Sequence, residues 1–142
     1  MNASSGTPWN FREAYGSPDG KCKLEYENVR EVGMSAPMEG VCFLEIDGRR
    51  YRLEGSFGGP AVWNSLSDKI AVPFWTKTRS QKLAVIDIKT MRIWISEKNF
   101  RVIQLSAFEN DTVFGTDSPL YQTEKIEFDV RTETYGQKIS IA

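Results

Sequence analysis

Three apolar segments follow one another between residues 69 and 96, and they restrict the fold more than any other part of the sequence. They read KIAVPFW (69–75), KLAVIDI (82–88) and RIWIS (92–96), and the polar segments TKTRSQ and KTM join them. Each segment is short for a helix, and none repeats its apolar residues every 3.6 positions. We therefore predict three adjacent antiparallel strands.

The expected pairing of these strands makes both faces of the sheet apolar. We expect Phe74 to lie opposite Ala84, Val72 opposite Ile86, and Ile86 opposite Trp94. One face then carries Ile70, Val72, Phe74, Ala84, Ile86, Ile88 and Trp94, and the other carries Trp75, Leu83, Val85, Ile93 and Ile95. A sheet with one face in water would alternate apolar and polar residues, so we predict that this sheet is covered on both faces. Pro73 cannot donate a ladder hydrogen bond, which predicts a bulge or an unpaired position in its strand.

The rest of the chain has the same character. KCKLEYE (21–27) alternates strictly, and VCFLEIDGRRYRLEG (41–55) predicts a hairpin whose two-residue turn is Asp47-Gly48. Further short apolar segments follow residue 101, whereas 28–40 is expected to be a loop or an irregular edge and 10–16 allows one short helix. The prediction is an all-β, mostly antiparallel fold of about nine or ten short strands, arranged as propeller-blade-like sheets or as a β-sandwich.

The length of 142 residues suits a single domain, which we place at residues 11–142. Residues 1–10 are polar and rich in Gly, Ser and Pro, so they are predicted to form a flexible arm. Cys22 and Cys42 each lie on the apolar side of an alternating segment, which favours buried free thiols over a disulfide.

Part of the sequence resembles a known repeat. Trp63, Ser67 and Asp68, followed by the apolar segments 69–72 and 83–87, resemble the repeat of TolB-like and WD40-like β-propellers. In that repeat a tryptophan precedes a Ser-Pro-Asp-Gly turn, an apolar strand, and a strand that ends in Asp. Ser17-Pro18-Asp19-Gly20-Lys21 matches the turn 48 residues earlier, a spacing close to one blade. The resemblance implies that the turn and the tryptophan link neighbouring strands, and it transfers no catalytic role. A closed propeller needs at least about four blades of ~40 residues, so this chain would need other chains to close a ring.

Composition excludes several kinds of chemistry. The chain contains no histidine, which removes Ser–His and Cys–His nucleophiles and the usual zinc sites. Its glycines have neither Walker nor dinucleotide-binding spacing, and no cofactor is predicted. The net charge of −1, the pI near 5.6 and the absence of a basic cluster argue against nucleic acid as a partner. No apolar run is long enough for a membrane helix and no signal peptide is evident, so we predict a cytoplasmic protein with no membrane partner.

Acidic residues spaced two apart are the remaining catalytic candidates. The pairs are Glu25/Glu27, Glu45/Asp47 and Glu127/Asp129, and this spacing puts both carboxylates on one face of a strand, as a glycosidase or a hard-metal site requires. The first and third pairs lie opposite an apolar face, where solvated acids are expected. Glu109, Asp111 and Asp117 lack the periodicity of a calcium loop, and no metal site is predicted.

Four residues are candidates for a binding surface. Trp9 lies in the predicted arm and Phe57 in the turn SFGGP, where neither is explained as strand core. We interpret both rings first as packed against the domain, and second as binding anchors, since exposed aromatic residues are favoured anchors in interfaces and in sugar-stacking sites. Arg49 and Arg50 form the densest basic spot of the chain, on the predicted hairpin. We interpret that spot first as a solvated face, and second as a source of charge complementarity for a partner.

The function predicted from these observations is binding rather than catalysis. The most concrete form is a small bacterial immunity or antitoxin-type protein that binds and blocks a partner protein such as a toxin or another enzyme. The alternatives are a carbohydrate- or ligand-binding β-module, a carboxylate-dependent hydrolase, and a subunit whose blades complete those of a neighbouring chain.

Overall fold

Every regular element of the computed structural model, which describes residues 2–3 and 6–141, is a β-strand, and every pairing is antiparallel. This confirms the predicted all-β fold. Six of the sixteen strands in this range have two or three residues, and ten have four or more. They are β1 (Asn2–Ala3), β2 (Gly6–Thr7), β3 (Asn10–Phe11), β4 (Ala14–Gly16), β5 (Cys22–Glu31), β6 (Met38–Ile46), β7 (Arg49–Arg52), β8 (Ser56–Phe57), β9 (Val62–Trp63), β10 (Lys69–Trp75), β11 (Gln81–Asp87), β12 (Arg92–Ser96), β13 (Ile103–Glu109), β14 (Thr112–Asp117), β15 (Glu124–Asp129) and β16 (Tyr135–Ser140).

Most of these strands belong to three antiparallel meanders. The first meander is β4–β7, the second is β9–β12 with β16 added beside β12, and the third is β13–β15 with β1 added beside β13. The short strand β8 pairs with β6 through Phe57 and Gly40, and with β10 through Phe57 and Phe74. It therefore joins the first two meanders into one hydrogen-bonded sheet.

The second meander is apolar on both faces, as the sequence predicts. Alternate residues of β10 and β11 enter two different cores: Ile70, Val72, Ala84 and Ile86 enter one, and Ala71, Leu83 and Val85 enter the other. The first core is completed by the first meander, through residues such as Leu24, Cys42 and Leu44. The second core is completed by the third meander, through Ile103, Leu105, Val113, Ile126 and Phe128. The second meander is thus packed between the other two.

Glycine and aspartate build the turn of the first meander as expected. Asp47 and Gly48 both have positive φ, 48° and 81°, and Ile46 pairs directly with Arg49 across the turn. This is the two-residue hairpin turn predicted from Asp-Gly. On β5, Cys22, Leu24 and Tyr26 are buried, which confirms the predicted alternation.

The predicted register of β11 with β12 is wrong by one residue. Ile86 lies opposite Ile93 and Val85 opposite Trp94, because Asp87 pairs with Arg92 and the loop between them has four residues. Ile93 and Ile95 consequently join the first core, whereas Trp94 points to the other face. The register of β10 with β11 differs by two residues from the prediction, with Val72 opposite Ala84, and a shift of two leaves each side chain on its expected face.

The structure decides two local predictions. Residues 10–16 contain β3 and β4 and no helix. In the segment 28–40, β5 and β6 continue as an irregular strand pair with a register shift between Glu27 and Arg30, so only its middle is a loop. The extension lacks alternation because the last five residues of β5 are exposed.

Pro73 causes no bulge, and its carbonyl accepts the Gly58 N–H at 2.9 Å. It lies opposite Leu83 in an unbroken ladder, and the Leu83 N–H is turned away from it, toward the Ser96 hydroxyl at 2.9 Å. On the other edge of β10, β9 pairs with residues 70–71 and β8 with residues 74–75, so Pro73 falls in the gap between these two strands. Because neither β8 nor β9 pairs with this position, the N–H that proline lacks costs no ladder hydrogen bond.

The two turns that resemble each other in sequence contact each other in space. The Trp63 indole N–H donates to the Tyr15 carbonyl at 2.8 Å, and the Asp19 N–H donates to the Ser67 hydroxyl at 3.0 Å. Both contacts join residues that are 48 positions apart. They fasten the first meander to the second at one end of their shared core.

Both cysteines are free and buried, as predicted. Cys42 is completely inaccessible and Cys22 nearly so. Burial raises the pKa of both thiols, and Asp19 and Asp47 add to the effect at Cys22.

Residues 1, 4 and 5 of the predicted arm, and residue 142 of the predicted domain, lie outside the described residues. Within the arm, Asn2 and Ala3 pair with Phe108 and Ala107 of the third meander, and β2 pairs with β3.

We expect Ser67→Ala to lower the free energy of unfolding by about 0.5–1.5 kcal/mol, because the Asp19 N–H loses its acceptor between the two meanders. Ser65→Ala is the matched control, since Ser65 lies in the same turn and is exposed. Urea unfolding of the three proteins measures the difference. An equal decrease in the free energy of unfolding in both variants would contradict a stabilising role for the contact between Ser67 and Asp19.

Acid should weaken the same turn through Asp68. Burial would raise the pKa of Asp68, but the Asn64 amide at 2.6 Å and the ammonium groups of Lys69 and Lys89 outweigh it, so the pKa is lowered from its ordinary value of 3.8. A lowered pKa in the folded state contributes stability that is present above the unfolded-state pKa and is lost as pH falls through the folded-state pKa. We therefore expect Asp68→Asn to lose less stability than the wild type between about pH 5 and pH 2, measured by urea unfolding. Equal acid sensitivity of the two proteins would contradict this assignment.

Candidate functional site

Four connections meet at one end of the stacked meanders, which we call the loop end: residues 32–36, 76–80, 97–101 and 118–123. The Arg79 guanidinium donates to the Val32 carbonyl, which joins the first two connections. Gln81 and Phe100 exchange two backbone hydrogen bonds of 2.8 and 2.7 Å, which hold the third connection beside the second. The Asp117 carboxylate accepts the N–H groups of Arg101 and Val102 at 3.0 Å, which holds the fourth beside the third.

The loop end carries most of the large apolar side chains that remain exposed. Met34 is 98% exposed, Leu120 79% and Tyr121 72%, and all three lie on connections of this end. Leu66, which is 77% exposed, lies on the turn between β9 and β10, at the opposite end of the second meander. Concentration of exposed apolar side chains on one surface is typical of a protein interaction site.

A groove of about 930 Å³ opens at the loop end between the first two meanders. We call it the end groove. It is lined by Glu39, Glu54, Gly55, Ser56, Phe74, Trp75, Thr76, Lys77, Thr78, Arg79, Lys82, Asn99, Gln137 and Ile139.

The floor of the end groove is aromatic and fixed. Trp75 is nearly buried and its indole N–H donates to the Met38 carbonyl at 3.1 Å. Phe74 is half-buried and packs edge-on against Phe57, with ring centroids 5.5 Å apart. Gly55 has φ of +111°, and a Cβ at this position would lie 2.4 Å from the Phe74 ring. Only glycine therefore lets residues 54–56 approach Phe74 this closely.

One wall of the groove is cationic. Lys77, Arg79 and Lys82 come from the β10–β11 hairpin, and the acids among the lining residues are Glu39 and Glu54. Glu39 is already paired with Arg30 at 3.2 Å. The cationic side chains thus exceed the acids left to balance them, which favours a ligand with negative charge.

The cationic hairpin is held by its own hydroxyl groups. The Thr76 hydroxyl contacts the hydroxyls of Thr78 and Ser80 at 3.1 and 2.8 Å, and it accepts the Ser80 N–H at 3.2 Å. Because these contacts fix the loop, Lys77 and Arg79 are presented from a defined backbone. Such preorganisation reduces the entropy that binding must overcome.

The four residues predicted for binding are dispersed. Phe57 is fully buried in the first core and supports the groove from below, so it offers no exposed ring in this structure. Trp9 is half-buried, and its indole N–H donates to the Ser35 carbonyl at 3.2 Å on the connection 32–36. Trp9 also lines a smaller cavity of about 360 Å³ with Tyr26, Val29 and Met38.

Arg49 and Arg50 lie away from the end groove on β7, where Arg50 is on the outward side of the first meander and Arg49, opposite Ile46, is exposed at the edge of the other side. Arg50 stacks over the Phe43 ring at 3.8 Å and pairs with Glu27 and Glu25. Lys23 bridges Glu25 and Glu45 at 3.8 and 3.3 Å on the same side. The outward side is therefore a ladder of ion pairs in water, which agrees with its first interpretation as a solvated face.

The acid pairs proposed for catalysis lie on open strand surfaces. Besides the two pairs near Lys23, Glu127 contacts Lys125 at 2.6 Å and Asp129 contacts Arg131 at 3.8 Å. None of these carboxylates lines the end groove or the cavity beside Trp9. Within residues 2–3 and 6–141, no three Cys, Asp or Glu side chains are grouped so that they could hold a metal ion. In the same part of the chain no helix has the length and hydrophobicity needed to cross a membrane.

Sequence reasoning missed the end groove. The pattern of TKTRSQ predicts only a connector, although this segment places two cationic and three hydroxyl side chains directly after the aromatic pair Phe74-Trp75. That sequence of residues was the available signal. The other wall, residues 54–56, gave no signal because it reaches the groove only through the pairing of β8 with β10.

Comparisons with protein-family models, with curated proteins and with solved structures found no match for this chain.

The different environments of Phe57 and Arg49 lead to a stability prediction. We expect Phe57→Ala to lower the free energy of unfolding by about 3–5 kcal/mol, since it empties a fully buried site beneath Phe74. Arg49→Ala should change it by no more than about 0.5 kcal/mol, because Arg49 is exposed at the start of β7. Urea unfolding tests both, and a small loss for Phe57→Ala would contradict its role as support of the groove floor.

Proposed function

We propose that this protein is a non-enzymatic protein-binding module that uses the loop end as its binding surface. The observation that carries the proposal is the coincidence, at one end, of three exposed apolar side chains with a groove that has an aromatic floor and a cationic wall. Protein interfaces combine an apolar centre that contains aromatic residues with a polar rim.

The partner segment that fits the end groove is extended and acidic. Aspartate or glutamate side chains would pair with Lys77, Arg79 and Lys82, while an apolar side chain contacts Phe74. A stable interface buries about 1,200–2,000 Å² in total, which is more than a groove contact alone supplies. The surfaces of Met34, Leu120 and Tyr121 provide the additional apolar area beside it.

We further propose that the partner is an enzyme, such as a toxin, and that binding blocks its active site in the bacterial cytoplasm. The small size and the absence of histidine favour a protein that acts by occupying a surface. An inhibitor of this kind needs a rigid surface and complementary charge, which the preformed groove would supply.

A charge-reversal experiment tests the binding surface. Lys77→Glu/Lys82→Glu should weaken capture of the partner from an extract of the source cells by about tenfold or more, equivalent to ~1.4 kcal/mol, because it reverses the cationic wall. Arg49→Glu/Arg52→Glu is the matched control, since it makes the same charge change on exposed residues of β7. Quantitative mass spectrometry of both captures, followed by titration of the purified partner, measures the effect.

The two variants separate the possible results. We expect the wild type and the β7 variant to capture the same partner and the groove variant to fail. The captured partner should also lose its activity when the wild type binds it. If only the β7 variant failed to capture the partner, the binding surface would instead include Arg49 and its neighbours. A solitary wild-type protein with no stoichiometric partner would contradict the proposal.

A further inference from the structure

A second aromatic cavity lies between the second and third meanders, away from the loop-end groove. It has a volume of about 340 Å³, near the lower end of the ~300–1,000 Å³ range of small-molecule sites. Trp94 of β12 and Tyr135 of β16 form its aromatic part, with ring centroids 5.5 Å apart and planes at 51°. Neither ring is fully buried.

The aromatic pair is held by its surroundings rather than by a ligand. The Tyr135 hydroxyl donates to the Val130 carbonyl at 2.7 Å, and its ring packs edge-on against Phe128 with centroids 5.8 Å apart. Burial, followed by the nearby carboxylates of Asp129 and Glu133, raises the pKa of Tyr135 to about 12, so the hydroxyl stays protonated and keeps its hydrogen bond.

The Trp94 indole is half-buried and lines the cavity, while one neighbouring cation lies over its ring. The Lys138 ammonium lies over the ring, 5.1 Å from its centroid, and Lys138 is not among the lining residues. The lining residues near Trp94 are Val85 and Asp87 of β11 and Tyr135 of β16. The cavity therefore reaches the indole between β11 and Tyr135, without contact to Lys138.

The rim of the cavity has balanced charge. Lys69 and Arg131 are its cationic side chains, and Asp87 and Glu133 are its acidic ones. Arg131 also pairs with Asp111 at 3.1 Å and with Asp129 at 3.8 Å, outside the lining. With two cations and two anions, the rim gives no net attraction to a strongly charged ligand, but it presents both donors and acceptors.

We propose that this cavity binds a neutral sugar ring, stacked on Trp94 and hydrogen-bonded to Asp87, Glu133 and Lys69. The C–H face of a pyranose is slightly positive and complements the negative face of an aromatic ring. Its hydroxyl groups both donate and accept, so they can bond to carboxylates and to an ammonium group at the same time. The cavity has room for one such ring or a short oligosaccharide end.

Fluorine NMR of the full-length chain labelled with fluorotryptophan tests this site. Each of the four tryptophans gives its own resonance, and the probes are methyl β-glucoside, methyl β-galactoside, methyl α-mannoside and N-acetylglucosamine. At least one sugar should shift the Trp94 resonance in a saturable manner, with the resonances of Trp9 and Trp63 unchanged. Absence of a saturable Trp94 shift with all four sugars would overturn the proposal.

Two variants connect binding to the cavity. Trp94→Ala should lower the affinity for the active sugar by about tenfold or more, and Glu133→Gln, at an exposed rim residue, should lower it several-fold. Trp9→Ala should leave it unchanged. Undiminished affinity in Trp94→Ala would overturn the proposal, and if that variant does not fold, undiminished affinity in Glu133→Gln would overturn it.

Discussion

A sheet that is apolar on both faces cannot be stable with water on either one, and the second meander is such a sheet. Leu83 and Val85 point one way from β11, and Ala84 and Ile86 point the other. At roughly 25 cal/mol per Å² of apolar surface, leaving either face in water would remove a large part of the stability of a domain of this size. The first and third meanders are therefore required to bury the two faces of the second. The end groove lies at the boundary with the first meander, and the Trp94 cavity lies at the boundary with the third.

The outward sides of the stack of three meanders are polar. The first meander ends the stack with the ion pairs of Lys23, Glu25 and Arg50, and the third presents Lys125 paired with Glu127. Terminal units of repeat structures need such polar outer faces for solubility. Between these outer sides, the contacts of Trp63 with Tyr15 and of Ser67 with Asp19 join the first meander to the second.

Much of the fold could be predicted because strand patterns and turn chemistry are local. Asp47-Gly48 specifies its hairpin, and the two-sided apolar pattern of β10 and β11 predicts covering on both faces. The register of β12 could not be read from pattern alone: a slip of one residue exchanges faces, and Trp94 is apolar enough to fit either face of an apolar strand. The end groove was harder still to predict, because Glu54 and Phe74 meet only through the long-range pairing of β8 with β10. Phe57 shows the same limit, since a turn-like sequence gave no sign that its ring would be completely buried.

The two buried thiols have a practical consequence for studying this protein. A thiol that is inaccessible and has a raised pKa contains little thiolate, the form that reacts with electrophiles and disulfides. Cys22 and Cys42 should therefore not react with maleimide dyes while the domain is folded. A single cysteine introduced on the surface would carry a fluorophore or spin label at one defined position, without first removing the native sulfur atoms from the core.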